Sequence, residues 1–258
     1  MKKNVFLIII TLITVFCIIV GSVHHLGVSR KSYNSVASSI RRGLSRGGLH
    51  FNFSDDDFDE DEDYDEDDED SKSFDTETIS EFDELEVKLK VGGLKIERGN
   101  KWEIQARYAH SYLKPEYTLK NGKLKIVQPG IKNQHLNNKG CNVVIVVPFG
   151  TEIDKLNVKM DVGAVELSGF DIKSGSIDTD VGAIAISNVN FNDLDLDSDV
   201  GAVSVELVEP VEKYDININS DLGGIVIDGK NVKRRYSQKG DKDKRLRINT
   251  DVGGIEVK

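Results

Sequence analysis

Cysteine is nearly absent from this 258-residue chain. Cys17 and Cys141 are too few for a disulfide framework, and Cys17 lies inside an apolar run. Histidine is equally sparse: His24, His25, His50, His110 and His135 are scattered, without metal-ligand spacing. No G-x-S-x-G elbow or phosphate-binding glycine loop occurs, nor a calcium loop with its required glycine. Long apolar runs are lacking except at the N-terminus, and no helical period is visible elsewhere. Little is left to support an enzyme or a helical bundle, and strand is what remains.

What is abundant is one phrase. DVGAVEL (161–167), DVGAIAI (180–186), DVGAVSV (199–205), DLGGIVI (221–227) and DVGGIEV (251–257) follow each other at Asp-to-Asp steps of 19, 19, 22 and 30 residues. Periods of this length mark a supersecondary unit that buries its apolar side only against its own copies. Counted from the Asp, positions −3, −1 and +1 form one alternating set, such as Val158, Met160 and Val162. The next apolar set is +4 and +6, such as Val165 and Leu167. The alternation slips at the glycine, so a corner is expected at Gly163, Gly182, Gly201, Gly223 and Gly253, with a partial copy at Gly92. Glycine would serve there by adopting positive φ and by letting coils approach closely. The fold expected is all-β, a parallel β-solenoid of stacked strand-corner-strand units, with an antiparallel β-sandwich as the alternative.

Upstream copies of the pattern weaken. Leu85, Val87 and Leu89 alternate with charge, Trp102 to Ala106 reads as a strand, and Tyr117 to Val127 reads as a hairpin turning on Asn121-Gly122. Val143 to Val147 is a short apolar strand stopped by Pro148.

The first residues carry an address. Residues 1–3 read as a short cytoplasmic tail and 4–23 as an uncharged span long enough for a single transmembrane helix. A signal peptide cleaved near Val20-Gly21-Ser22 is the other reading. Residues 24–73 read as a disordered linker whose run 55–70 holds 14 acidic residues in 16. With those charges set aside, the formal net charge of −10 becomes +4, so the acidity is local. Residues 74–258 form the repeat domain, expected outside the cell membrane.

The stretch VVIVVPFGTEIDKLNVKMDVGAVELSG followed by DVGA-strand units resembles a bacterial family of unknown function. Its members are called "putative adhesins" and carry glycine-centred β-strand repeats. The resemblance implies a β-solenoid, often behind a membrane anchor, with some relatives linked to envelope stress; it brings no catalytic residues.

Two clusters are candidate sites. The repeat Asp column is expected outward, and two coils present Asp178, Asp180, Asp197 and Asp199 together. Each such Asp could accept backbone N–H groups of its own turn, or the four could share a Ca²⁺; no other cofactor is implied. The second cluster is Lys230 to Arg247, whose Lys233, Arg234, Arg235, Lys244 and Arg245 are a solvated loop or an anion-binding patch. The last copy ends at Lys258 without a visible cap, so its edge is expected either to be covered by this insertion or to pair with another chain. The functional expectation is a non-enzymatic, membrane-anchored binding or scaffolding module of the cell envelope. Its partner would be an envelope polymer or protein and not nucleic acid. An end-to-end polymer and a carbohydrate-active enzyme are the alternatives.

Overall fold

The computed structural model describes residues 73–130 and 140–258. The expected anchor, linker and acidic run lie outside these residues. Among the described residues there is no α-helix, only two single 3₁₀ turns, and no helix long and apolar enough to cross a membrane. Fifteen strands form one hydrogen-bonded sheet.

The heart of the fold is β7 (Glu152–Ser168), β8 (Asp171–Ser187) and β9 (Asn190–Glu206), three strands of 17 residues each. They pair parallel and in register, one repeat onto the next, with Gly163 opposite Gly182 and Gly182 opposite Gly201. The long β2 (Glu84–Gly99) pairs with β7 in the same way, which makes the partial copy at Gly92 a true layer of the stack. This parallel, repeat-on-repeat pairing is the arrangement expected of stacked units. Antiparallel pairing is confined to the two ends.

Inside each layer, positions −3, −1, +4 and +6 point inward as the alternation requires. Val87, Val158, Ile177, Leu196, Ile248 and Ile218 form one fully buried column. Each such side chain contributes up to about 1.5–3 kcal/mol of transfer free energy. Position +1 corrects the sequence expectation. Val162, Val181, Val200, Leu222 and Val252 are 47%, 46%, 41%, 56% and 36% exposed. The reason is that the chain turns at the Asp, two residues before the glycine: the β7–β8 register skips Asp161 and Asp180. The bend carries the next residue outward.

The corner glycines are required chiefly by close approach. A Cβ on Gly182 would sit 1.8 Å from the carbonyl oxygen of Gly163, and one on Gly201 would sit 1.5 Å from that of Gly182. The ladder continues through Gly253, against Gly201, to Gly223, against Gly253, and begins with Gly163 against Gly92. Positive φ is not the common factor. It holds at Gly92, Gly163 and Gly253, whereas Gly182, Gly201 and Gly223 are not among the positive-φ residues.

That ladder exposes the main departure from the sequence reading: the copies do not stack in chain order. The fifth copy, β14 (Asp241–Val252) with β15 (Ile255–Val257), lies between the third and the fourth, β10 (Tyr214–Leu222) with β11 (Ile225–Ile227). β14 pairs parallel with β9 on one side and β10 on the other, and β15 does the same with β9 and β11. The C-terminal strand is therefore no open edge: the expected unpaired last copy is paired on both sides. Leu207 N–H donates to Lys258 O at 2.7 Å, and Lys258 N–H to Val205 O at 3.1 Å. The long last step of the repeat is the route back into this slot. On the way, β12 (Lys230–Val232) and β13 (Arg235–Gln238) pair antiparallel with β11 and β10 and cover the fourth copy.

The other end is closed by the same device. β5 (Lys123–Val127) and β6 (Cys141–Pro148) share the free edge of β2, and both run parallel to it. β4 (Glu116–Lys120) then pairs antiparallel with β5, β3 (Glu103–Tyr108) with β6, and β1 (Ser73–Thr78) with β3. Asn121 and Gly122 have φ of 53° and 75°, the type I′ turn that the Asn-Gly pair calls for. Between β5 and β6 the buried Gln128 takes over the pairing. Its Oε1 accepts from Lys90 N–H and Val91 N–H at 2.8 and 2.9 Å, and its Nε2 donates to Leu113 O at 3.1 Å.

Gly182→Ala should cost about 3 kcal/mol or more, because the clash is with backbone that cannot rotate away. Gly224→Ala is the control, since nothing lies within 4 Å of its Cβ position. Urea midpoints of the two variants decide; equal midpoints would refute the ladder as the source of the requirement.

Candidate functional site

Outward-facing residues repeat with the layers, so the surface is a set of columns. One column is Asp161, Asp180, Asp199, Asp251 and Asp221 in stacking order. The exposed column Val162, Val181, Val200, Val252 and Leu222 runs directly beside it. On the far side of the valines the corner carries only glycine, then Ala164, Ala183 and Ala202 or a second glycine, Gly254 and Gly224. The result is a narrow aliphatic ridge with carboxylates along one flank and nearly bare backbone along the other.

The carboxylates are less satisfied than the turn chemistry of aspartate suggests. Lys90, which replaces the Asp in the first layer, donates to Asp161 at 2.7 Å. Asn219 donates weakly to Asp221 at 3.4 Å. Asp180, Asp199 and Asp251 accept no hydrogen bond among the described residues. Backbone N–H groups of the turn are therefore not what this column holds. Asp178 and Asp197 lie two residues upstream on the same face, with Asp195 beyond. Lys159 reaches Asp178 at 3.1 Å. Asp197 has its carboxyl pushed upward, first by desolvation, then by the charges of Asp178, Asp199, Asp195 and Asp251.

The expected Ca²⁺ site at Asp178, Asp180, Asp197 and Asp199 is not formed: among the described residues no group of three or more His, Cys, Asp or Glu is arranged to hold a metal. Carboxylates on neighbouring parallel strands project side by side from a sheet and do not converge on one point. Asp178 is moreover occupied by a lysine.

The basic cluster is largely consumed within the fold. Arg245 meets Asp193 at 2.6 Å, and Arg247 meets Asp195 at 3.2 Å and Asp193 at 3.3 Å, all across the β14–β9 pairing. Lys244 pairs with Glu209, and Arg235 Nε donates to Asn219 at 3.1 Å. Lys233 and Arg234 are exposed in the connection between β12 and β13. The five residues thus form no joint anion-binding patch. Arg245 and Arg247 instead separate Asp193 and Asp195 of the third copy from Asp215 of the fourth. The last cysteine, Cys141, is fully buried, and burial pushes its thiol up to about 12. It is no nucleophile at neutral pH.

The valine ridge was missed by sequence reasoning, which carried strict alternation through the Asp and placed position +1 inside. The signal available was an Asp followed by a branched aliphatic and then two small residues, a pattern in which the turn precedes the glycine.

Taken together, the parallel repeat stack, the glycine ladder and the repeating outer columns define an all-β repeat protein whose outer surface is set by its repeat. The chain belongs to the Toastrack DUF4097 family, which it matches over residues 82–258. It is similar to the crystal structure of a "putative cell adhesion protein" from Clostridium sporogenes ATCC 15579. The two are 20% identical, the match covers 72% of this chain and 99% of the other, and the TM-score is 0.55. That likeness establishes a shared fold. Weaker matches include a "putative adhesin" from Bacteroides fragilis NCTC 9343, with 14% identity, 73% and 97% coverage and a TM-score of 0.28. Another is a "putative lipid binding protein" from Parabacteroides distasonis ATCC 8503, with 10% identity, 72% and 96% coverage and a TM-score of 0.26. Comparison with curated proteins gives no match.

Asp197→Asn should stabilise the protein at neutral pH. The folded-state pKa of Asp197 is raised, so its ionisation costs stability as pH climbs through that value. Removing the charge should lift Tm by about 1–2 °C at pH 7. The gain should vanish at pH 3, below the ordinary aspartate value of about 3.9. A gain that persists at pH 3 would mean that the crowding of carboxylates is not its cause.

Proposed function

We propose that this protein is a non-enzymatic binding module of the bacterial cell envelope, a β-solenoid held at the membrane by residues 4–23, with its repeat domain outside. The observation that carries the reading is the ridge: five successive layers each expose one branched aliphatic side chain beside an Asp. A contiguous aliphatic stripe costs solubility and is a mark of contact surfaces on soluble folds. The carboxylate flank selects a partner that is apolar where it meets the valines and cationic beside them. A cofactor is not required for such a role, and polyanionic nucleic acid is repelled by the same flank. The family membership and the cell-adhesion name given to the Clostridium structure agree with a binding role. The anchor rests on the sequence of residues 4–23, and any tie to envelope stress rests on the family resemblance.

Two measurements test the proposal. A photo-crosslinking residue at position 181 or 200 in cells should capture an envelope component, and the adduct should fade when Asp180, Asp199 and Asp251 are replaced by Asn. Equal capture from Lys173, exposed away from the ridge, would sink the ridge as the binding face. Protease applied to cells freed of any outer barrier should release the repeat domain, and resistance until lysis would overturn the outward orientation.

A further inference from the structure

At the end of the stack remote from β13, two strands keep a free edge. Among the described residues β1 pairs only with β3, and β4 only with β5, so each retains there a row of backbone N–H and C=O groups without a strand partner. The two strands line opposite walls of one groove of about 760 Å³. Its floor is apolar: Ile104, Ala106 and Ile126 are 5%, 7% and 1% exposed. Phe74, 56% exposed, stands at the rim.

The charge of the rim is one-sided. Asp75, Glu77 and Glu116 line the groove against a single cation, Lys114. Lys114 is already engaged with Asp75 at 2.7 Å, and Tyr108 donates to the same carboxylate at 2.9 Å. These two contacts hold Asp75 below its ordinary pKa, so it stays ionised. On the other wall the Tyr117 phenol is pushed up to about 12, first by its hydrogen bond to Glu77. Tyr117 thus remains a donor to Glu77 at any physiological pH.

From these features we infer that the groove between β1 and β4 is a docking site for an extended basic peptide, which adds as a strand to one of the free edges. Alternate side chains of such a strand fall on opposite faces. Small apolar ones would meet Ile104, Ala106 and Ile126, and Lys or Arg at the mouth would meet Glu77, Glu116 and Asp75. Backbone pairing supplies affinity, and the acidic rim supplies the sign preference. The site is separate from the valine ridge, shares no residue with it, and does not depend on the function proposed above.

The test uses the full chain and a fluorescein-labelled octapeptide of alternating Lys and Val, followed by fluorescence anisotropy. Binding should weaken at least tenfold when Lys is replaced by Glu in the peptide, and likewise when alternate backbone nitrogens of the Lys peptide are methylated. In the protein, Glu77→Arg and Glu116→Arg, both at exposed positions, should each weaken binding several-fold without changing the far-UV circular dichroism. Val200→Lys on the ridge should leave it unchanged. Equal binding of the Glu peptide or of the methylated peptide would overturn the inference. So would loss of binding in the ridge variant, or no binding at millimolar peptide. Binding that emerges only after residues before Ser73 are removed would show that the chain's own upstream segment fills the groove, and would also overturn it.

Discussion

The structure depends on a contact that no side chain makes. At each corner a glycine carbonyl occupies the place where the next layer's Cβ would be, as close as 1.5 Å to it. The residue whose Cβ would point at the neighbouring carbonyl must be glycine, whatever residue carries that carbonyl: a Cβ on Gly92 would meet Cys141 O at 1.8 Å in the same way. The requirement ties the six layers into one register and sets the position of everything that radiates from the corner. The Asp, the exposed valine and the alanine all stand in columns because the glycines do.

With register fixed by the corner, layer order is left to whatever differs between copies. The inward columns hardly discriminate: Ile177, Leu196, Ile218 and Ile248 would pack in any sequence. The outward columns do discriminate. Placed directly together, the third and fourth copies would set Asp193 beside Asp215, and like charges facing across a strand pair are unfavourable. The fifth copy brings Arg245 and Arg247 to that position and meets Asp193 and Asp195. Individual pairs at such exposure contribute little, at most about 1 kcal/mol each. Because the apolar terms nearly cancel between the alternative orders, that is enough to choose.

Much of this was legible in the residues. Buried positions such as Val158, Met160, Val165 and Leu167, the Asn121-Gly122 hairpin and the layer at Gly92 all follow from period and turn chemistry, because these are local. Layer order was not legible from hydrophobic pattern, since parallel in-register copies look alike to one another. It could be read only from charge, by noticing that Arg245 and Arg247 stand where the third copy has Asp193 and Asp195. The outward turn at the Asp and the groove between β1 and β4 were likewise hidden. The first depends on which bond bends, and the second on strands that are distant in sequence meeting at one end.

The intercalated last copy has a consequence for how the molecule is made. Layers from β2 through β9 can be added in the order in which the ribosome delivers them, each resting on a finished neighbour. That vectorial growth halts after β9. β10 and β11 leave the ribosome before the strands that separate them from β9 exist, and must wait with one face uncovered while β12 and β13 shield the other. Closure comes when β14 and β15 slide between two preformed surfaces, a long-range step of the kind that slows folding. The nascent chain at this stage presents a strand-shaped vacancy whose Asp193 and Asp195 wall discriminates among candidates for the place.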